Sequence, residues 1–326
     1  MDRSIDFSRN RHMLCEQCNH RWVADVGWIA RWRDSDEGCP ACGVTCEAES
    51  GPTIAVAPDD LALRDESVVD YVWYHTSPHH DWPVRDFDPA AALSEDIRAA
   101  MEWQGGGLAK WVTAQRARAL HVGTYEAAVE NMLRRFISHE NEPGDRFYLY
   151  RVRLVPTVAV RPGWLSDPAN FIGDVVLDEV CPPGVDVARY LNKREDPGGI
   201  SLALGRVAIA SVQSIEIPLL PDDDPVWVKA AAGELESMAM KQAIPAGVGV
   251  KIRAAASLRS EKARVLMAPL AERLPMNVRR GFACATRYDE GLGPKDWARH
   301  SWGLMNMFLA PQDVLAALDI AIVRPL

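Results

Sequence analysis

Residues 73–82 read WYHTSPHHDW, and this stretch joins the end of a predicted strand to an unusual density of histidine. The run VVDYVWYHT that leads into it is rich in β-branched and aromatic residues, which is typical of a β-strand. His75, His79, His80 and Asp81 are residue types that bind metals. Adjacent side chains in an extended chain point to opposite faces, which disfavours His79 and His80 as joint ligands of one ion. A metal site in this stretch therefore stays an alternative hypothesis.

The segments around this strand predict a mixed α+β domain. Pro89 opens one predicted helix, and Thr124 is a predicted N-cap for the helix YEAAVENMLRRFISHE. The runs RFYLYRVRLVPTVAV, ISLALG and RVAIASVQSIEIP predict strands, because apolar, β-branched and aromatic residues dominate them. The later segments ELESMAMKQ, KIRAAASLRSEKARVLMAPLAERL and PQDVLAALDIAIV predict helices. We predict a core domain over residues 67–222 and a mainly helical C-terminal domain over residues 223–326.

Two cysteine pairs near the start of the chain predict a structural zinc site. Cys15 and Cys18 form one CxxC motif, and Cys39 and Cys42 form a second. Two thiolates at this spacing can reach one tetrahedral ion from a tight turn, and Gly43 permits the second turn. Four sulfur ligands leave no open coordination position, which favours a structural role over a catalytic one.

The segment around these cysteines is a small module. Its pattern, CNHRW followed by GCPACG, resembles zinc-ribbon and treble-clef modules, which mostly bind nucleic acid or protein. We assign it to residues 1–50 and predict a linker over residues 51–66, where no apolar period is sustained. His12, His20 and Cys46 are alternatives for one of the four ligands.

Composition narrows the class of protein. The 326 residues are 48% hydrophobic and 25% charged, as in ordinary globular proteins. A formal charge of −9 argues against general coating of nucleic acid, although local basic patches are compatible with it. The polar N-terminus does not resemble a signal peptide, and no apolar run is long enough to span a membrane. We therefore expect a cytoplasmic protein with no membrane partner.

Three motifs in the predicted core domain carry the chemistry. Residues 74–77 read YHTS at the end of the first strand, and residues 121–128 read HVGTYEAA at a strand-to-helix junction. Residues 190–196 read YLNKRED before the strand ISLAL. Together they resemble the motifs of the ADP-ribosyltransferase superfamily, in its diphtheria-toxin-like and poly(ADP-ribose) polymerase-like branch. The resemblance covers roughly the middle half of the chain, from Ser67 to about Pro218.

The resemblance implies an α+β fold with a split antiparallel β-sheet, and NAD as a substrate. It implies that Tyr74, His75 and Thr76 hold the nicotinamide end of NAD, with His75 bonding a ribose. A carboxylate would stabilise the oxocarbenium-like ribose that forms when the glycosidic bond breaks, and Glu195 is the candidate. Glu179 and Glu216 are alternatives for this carboxylate.

Further cofactor-binding residues follow from the second and third motifs. Gly123 and Thr124 form the turn into the helix, and Tyr125 would stack on the nicotinamide ring. His121 stands where the family expects tyrosine and is a third catalytic candidate; if it takes the central position, Tyr125 is only a helix residue. Asn192 is a candidate for lining the NAD groove.

The predicted C-terminal domain suggests the chemistry of the acceptor. Eight basic residues cluster there on an otherwise acidic chain: Lys251, Arg253, Arg259, Lys262, Arg264, Arg273, Arg279 and Arg280. This asymmetry favours an anionic partner, so we expect DNA or RNA slightly before protein as the macromolecular acceptor. Two other functions remain open, a non-catalytic zinc-ribbon protein that binds nucleic acid and a metal-dependent nuclease that uses the histidines of residues 75–81.

Overall fold

The N-terminal module is a small three-stranded sheet with one helix. The computed structural model describes residues 3–103, 107–138, 140–167, 175–241, 248–289 and 291–326. The elements of the module are β1 (Arg11–Cys15), β2 (Arg21–Ala24), α1 (Val26–Arg33) and β3 (Pro52–Ala55). The strand order is β2-β1-β3, and both pairings are antiparallel. Cys15 lies opposite Pro52 and His12 opposite Ala55, so residues 52–55, which the sequence assigns to a linker, complete the sheet of the module.

The middle of the chain alternates strands and helices. Its elements are α2 (Asp65–Asp70), β4 (Trp73–Ser77), α3 (Glu95–Trp103), α4 (Gly107–Arg116), β5 (Leu120–Val122), α5 (Tyr125–Ile137), β6 (Phe147–Leu154), β7 (Leu165–Ser166), α6 (Leu177–Val180), β8 (Val187–Leu191), β9 (Ile200–Leu204) and β10 (Ile209–Ile217). The strand expected from Val68 begins only at Trp73, because α2 occupies the residues before it. Asp65 and Glu66 in the first turn favour that helix, since they complement its positive end.

The C-terminal part is helical and ends in a short strand. Its elements are α7 (Val226–Lys241), α8 (Val248–Glu272), α9 (Met276–Ala285), α10 (Pro294–Leu309), α11 (Pro311–Ile320) and β11 (Arg324–Pro325). β11 pairs with β10, so this part also extends the sheet of the core domain. Among the described residues, no helix combines the length and the apolar character that crossing a membrane requires.

The strands of the middle segment form two further sheets, which makes the protein a mixed α+β structure. One sheet has the order β11-β10-β6-β4, and the other has the order β5-β9-β8-β7. All pairings in the first sheet are antiparallel, and in the second only β7 and β8 run parallel. We call the first of these sheets the central sheet. Its β4 edge lies next to β5 of the other sheet.

The central sheet buries both of its faces. Along β6, Phe147 and Leu149 pack on one side against α5 and the C-terminal helices. Tyr150 and Val152 pack on the other side against residues of β8 and β9. The period-two alternation of a strand thus sends side chains into two different cores. The helices of residues 226–320 share the first of these cores with α5, so they are an integral part of the structure.

Tyr74 and Gly123 join the two larger sheets. The Tyr74 amide donates to the Gly123 carbonyl at 2.8 Å, and the Gly123 amide donates to the Tyr74 carbonyl at 2.9 Å. A Cβ atom on Gly123 would lie 2.8 Å from Ser201 Oγ and 2.9 Å from Ala127 Cβ. Ala127 is fixed on α5, whose first turn is capped by Thr124, so this contact cannot be relieved by a rotation. The junction therefore requires glycine.

Replacing Gly123 by alanine should destabilise the protein by about 1–3 kcal/mol, the usual cost of overpacking a tight contact. Gly233→Ala is the matched control, because Gly233 is exposed inside α7 and an added Cβ would meet no atom within 4 Å. The control should be neutral or stabilising by up to about 1 kcal/mol. Urea unfolding at one pH measures both, and equal stability of Gly123→Ala and the parent would contradict the steric argument.

Candidate functional site

Two tight turns position the four cysteines of the N-terminal module. In the first turn, the Asn19 amide donates to the Cys15 carbonyl at 2.8 Å, and Asn19 has a φ of +59°. In the second, the Gly43 amide donates to the Cys39 carbonyl at 2.8 Å, and Gly43 has a φ of +74°. Asparagine and glycine tolerate this left-handed conformation, so each CxxC motif closes on itself and directs both sulfurs to one side.

The four sulfurs have the geometry of a metal site. Cys15 Sγ lies 3.7 Å from Cys42 Sγ, and Cys18 Sγ lies 3.7 Å from Cys39 Sγ. All four sulfurs lie within 4.8 Å of one another. The edge of a tetrahedron with Zn–S bonds of about 2.3 Å is about 3.8 Å, so the observed spacing fits such an ion. The four cysteines could therefore bind a structural metal such as zinc.

The alternative ligands have other partners. The Cys46 thiol donates to the Glu37 carbonyl at 2.8 Å, and the His20 ring stacks on Trp22. Among the described residues, these four cysteines form the single group of His, Cys, Asp or Glu side chains arranged to hold an ion. The histidines at residues 75–81 do not form such a group.

The predicted catalytic residues His75, His121 and Glu195 line one cavity of about 990 Å³. It lies where β4 meets β5, next to α5 and the loop between β8 and β9. Tyr74, Thr76, Gly123 and Asn192 also line it. Thr124 and Tyr125 are not among its lining residues in the described part of the chain.

The His75 ring is neutral, and a hydrogen bond fixes one of its two nitrogens. Its Nδ1 lies 2.8 Å from the His121 carbonyl oxygen, which can only accept, so Nδ1 carries the proton and Nε2 is an acceptor. The ring stacks on Trp82 with centroids 4.0 Å apart and planes 17° apart. Burial, helped by the charge of Arg135, lowers the pKa of His75 to about 3. The ring thus offers a hydrogen-bond acceptor at neutral pH.

His121 and Tyr190 form a second polar pair in the cavity. His121 Nδ1 lies 3.1 Å from the Tyr190 hydroxyl, and the two rings meet edge to face. Burial raises the pKa of Tyr190 above the usual range of tyrosine, so its hydroxyl keeps its proton. Because β5 pairs with β9 and β9 with β8, the sheet itself brings these distant residues together.

Glu195 stands in the loop between β8 and β9, and α5 orients its carboxylate. Arg134 Nε donates to Glu195 Oε1 at 2.8 Å, and Asn131 Nδ2 donates to the same oxygen at 3.3 Å. The Glu195 side chain is 13% exposed. The alternative carboxylates lie elsewhere: Glu179 is exposed on α6, and Glu216 is exposed on β10 beside Arg146. Of the three candidates, Glu195 is the one that lines the cavity.

Three of the predicted residues support the site through contacts within the fold: Thr76, Thr124 and Tyr125. Thr76 donates its hydroxyl hydrogen to the Ala128 carbonyl at 2.7 Å, which ties β4 to α5. Thr124 caps α5 by accepting from the Ala127 amide at 2.9 Å. Tyr125 is buried in the core, where its hydroxyl donates to the Met307 carbonyl at 3.0 Å. This position does not support the stacking role for Tyr125 and agrees with the alternative that it is only a helix residue.

Sequence reasoning missed three contributors to the site. Trp82 supplies the aromatic face under His75, and Asn131 and Arg134 hold Glu195. The helix itself contained a signal, because Ala127, Asn131 and Arg134 follow one another at intervals of four and three residues and therefore share one face. Trp82 had no comparable signal, since its contact depends on the path of the loop after β4.

Replacing Cys42 by serine should abolish stoichiometric zinc binding, because one of four thiolate ligands is lost from a closed tetrahedral set. Cys46→Ser is the matched control, since serine can still donate to the Glu37 carbonyl and Cys46 lies outside the set. Elemental analysis of the purified proteins should find one zinc ion per chain in the parent and the control. Full zinc in Cys42→Ser would contradict the site.

His75→Gln should reduce the acid sensitivity of the fold. The pKa of His75 is lower in the folded chain, about 3, than its unfolded value of about 6.5. The unfolded chain therefore takes up a proton first, and stability falls as the pH decreases below about 6.5. Glutamine can still donate to the His121 carbonyl and removes this effect, which amounts to about 2 kcal/mol between pH 7 and pH 5. Urea unfolding at both pH values measures it, and parallel pH profiles would refute the neutral buried ring.

Comparison of the chain with protein-family models, with curated proteins and with solved structures finds no match. The geometry of the cavity is therefore the basis for assigning a function. That geometry brings two histidines and one oriented carboxylate from three segments of the chain to the same cavity.

Proposed function

We propose that the protein is an NAD-dependent ADP-ribosyltransferase that moves ADP-ribose from NAD to a macromolecule and releases nicotinamide. The observation that supports this proposal is the convergence of His75, His121 and Glu195 on one cavity. The three motifs that resemble the superfamily are far apart in sequence, and independent structural roles would not require them to share a cavity. The contact between two largely antiparallel sheets at Tyr74 and Gly123 is compatible with a split-sheet core.

The size of the cavity suits a dinucleotide. Its volume of about 990 Å³ lies at the upper end of the range for small-molecule sites, roughly 300–1,000 Å³. Six arginines line it: Arg85, Arg116, Arg118, Arg134, Arg135 and Arg206. Four carboxylates line it as well: Asp86, Glu140, Asp167 and Glu195. On a chain with a net charge of −9, this local excess of cations favours a ligand that carries phosphates.

The residues of the cavity match the demands of the reaction. The bond between ribose C1′ and the nicotinamide nitrogen breaks, and its electron pair leaves with nicotinamide as the neutral base. A nucleophile of the acceptor bonds to C1′ and gives its proton to solvent. Glu195 would stabilise the positive charge that develops on the ribose, and His75 Nε2 would accept from a ribose hydroxyl and orient it. Each role uses a group that the fold already holds in place.

The acceptor is proposed to be a nucleic acid, and the support now comes from the cavity rather than from the C-terminal basic run. Several basic side chains of that run are engaged within the chain. Lys262 pairs with Glu234, Arg264 pairs with Glu261, and Arg279 donates to two backbone carbonyls. The arginines that line the cavity are better placed to bind an acceptor near the reacting atoms. The same arginines would also allow binding without turnover, which is the rival hypothesis of a non-catalytic nucleic-acid-binding protein.

Nicotinamide release from NAD in the presence of single-stranded DNA, RNA or protein tests the proposal. Glu195→Gln and His75→Ala should each lower the turnover at least about 100-fold, the usual effect of removing one group that stabilises the transition state. Glu216→Gln is the matched control, because Glu216 is an exposed carboxylate on β10 outside the cavity. Binding of nucleic acid without NAD consumption by the parent would favour the rival and refute the transferase. Full activity of Glu195→Gln would exclude Glu195 as the catalytic carboxylate.

A further inference from the structure

Residues 192–199 form a compact loop that carries Glu195. The Asn192 amide donates to the Gly199 carbonyl at 2.9 Å, and the Gly198 amide donates to the Asn192 carbonyl at 2.9 Å. Asn192 Oδ1 also accepts from the amides of Arg194 and Glu195, at 3.1 and 3.0 Å. These hydrogen bonds make residues 192–199 one compact unit, so a displacement of any part of the loop also moves Glu195.

The loop is anchored through Asp196, next to Glu195. The Asp196 side chain is fully buried, and Arg9 Nη2 lies 2.7 Å from each of its carboxylate oxygens. Arg11 Nη2 donates to Asp196 Oδ1 at 2.9 Å, and Thr124 donates its hydroxyl hydrogen to Oδ2 at 2.7 Å. A buried carboxylate requires partners of this kind, because desolvation without them is costly. Arg9 and Arg11 precede and begin β1, the strand that ends at the metal-site residue Cys15.

A second tie connects the loop to the same module. Arg33, the last residue of α1, donates through Nη2 to the Arg194 carbonyl at 2.5 Å and to Glu130 Oε2 at 2.8 Å. Leu191, just before the loop, is buried together with Met13, Ile29 and other residues of the module. The arginines of the module therefore hold the loop at Arg194 and Asp196. Apolar packing on the module holds Leu191, the residue just before the loop.

The four cysteines connect the two elements that hold the loop, β1 and α1. Cys15 ends β1, which carries Arg11, and Cys39 lies six residues beyond Arg33, the end of α1. An ion bound by the four sulfurs would join the strand and the helix segment that hold the loop. Removing the ion would disconnect the two CxxC turns from each other, and small metal modules can lose their fold in this way.

We propose that the N-terminal module positions the loop of residues 192–199, with Arg9, Arg11 and Asp196 as positioning residues. Metal binding by the four cysteines of this module then controls how well the loop is ordered. The catalytic consequence rests on the proposed transferase function. The coupling between the module and the loop does not, because it follows from contacts within the chain.

Hydrogen exchange of residues 192–199, measured by mass spectrometry, tests the coupling without NAD. Arg9→Ala is the main variant, because the Arg9 side chain is 34% exposed and Arg11 still reaches Asp196. Arg31→Ala is the matched control, since Arg31 bonds Glu37 within the same module, at 2.6 Å. We expect at least tenfold faster exchange of the loop in Arg9→Ala and in the chelator-treated parent. The control should exchange like the parent, and both variants should retain zinc.

Turnover provides the second readout. In Arg9→Ala, kcat for nicotinamide release should fall at least tenfold while KM for NAD changes less than threefold, because Glu195 acts on the transition state. Arg9→Lys should recover part of kcat, since one ammonium group can replace the single nitrogen, Nη2, that contacts both carboxylate oxygens.

The two proposals fail in different ways. Unchanged loop exchange in both Arg9→Ala and the chelator-treated protein would overturn the coupling, even if the parent releases nicotinamide. A parent that never releases nicotinamide would refute the transferase, while faster loop exchange in Arg9→Ala would still support the coupling. A loss of global stability in Arg9→Ala is separated from local loosening by the exchange of β6, which should stay at the parental rate.

Discussion

The buried carboxylate of Asp196 is the constraint on which the arrangement of the site depends. Arg9 and Arg11 of the N-terminal module donate hydrogen bonds to it, and so does the hydroxyl of Thr124 at the start of α5. Asp196 and these partners belong to three parts of the chain, and the single buried charge of Asp196 fixes the positions of the three parts relative to one another. Gly199 is part of this arrangement, since a Cβ there would lie 2.5 Å from Asp196 Oδ2. Glu195, the adjacent residue, takes its position from the same anchor.

The junction of the two larger sheets provides the other half of the site. Tyr74 and Gly123 exchange both backbone hydrogen bonds, which places β4 beside β5 and brings the His75 ring to the His121 carbonyl. Both polar groups of the Tyr74 backbone are used by this pairing, so Tyr74 contributes structure rather than backbone contacts to a ligand. α5 begins immediately after the junction and carries Asn131 and Arg134 to Glu195. α5 therefore fixes the distance between the side of the cavity that carries the histidines and the side that carries Glu195.

Local patterns in the sequence predicted a large part of this structure. The CxxC spacing identified the four sulfurs, because their geometry depends on turns of four residues. Thr124 caps α5 as expected, and the runs containing β6, β9 and β10 form strands. The features that local patterns did not indicate depend on distant partners. Residues 52–55 contain little apolar periodicity and form a strand only because β1 offers an edge to pair with. Tyr125 turns into the core because the C-terminal helices supply the Met307 carbonyl.

The sequence by itself determined the double CxxC motif, several of the strands and helices, and the residue types available for chemistry, since each of these depends on neighbours in the chain. The tertiary structure decided which of these residues share a cavity. Glu179, Glu195 and Glu216 are equivalent in sequence as candidate carboxylates, and only the packing of the β8–β9 loop against α5 distinguishes them. It also decided the role of Arg9, Arg11 and Asp196, because residues separated by about 190 positions can form a buried ion pair only after the module folds onto the core. Long-range electrostatic pairing leaves no periodic trace in a sequence, and for this reason the anchor of the site could be found only in the folded chain.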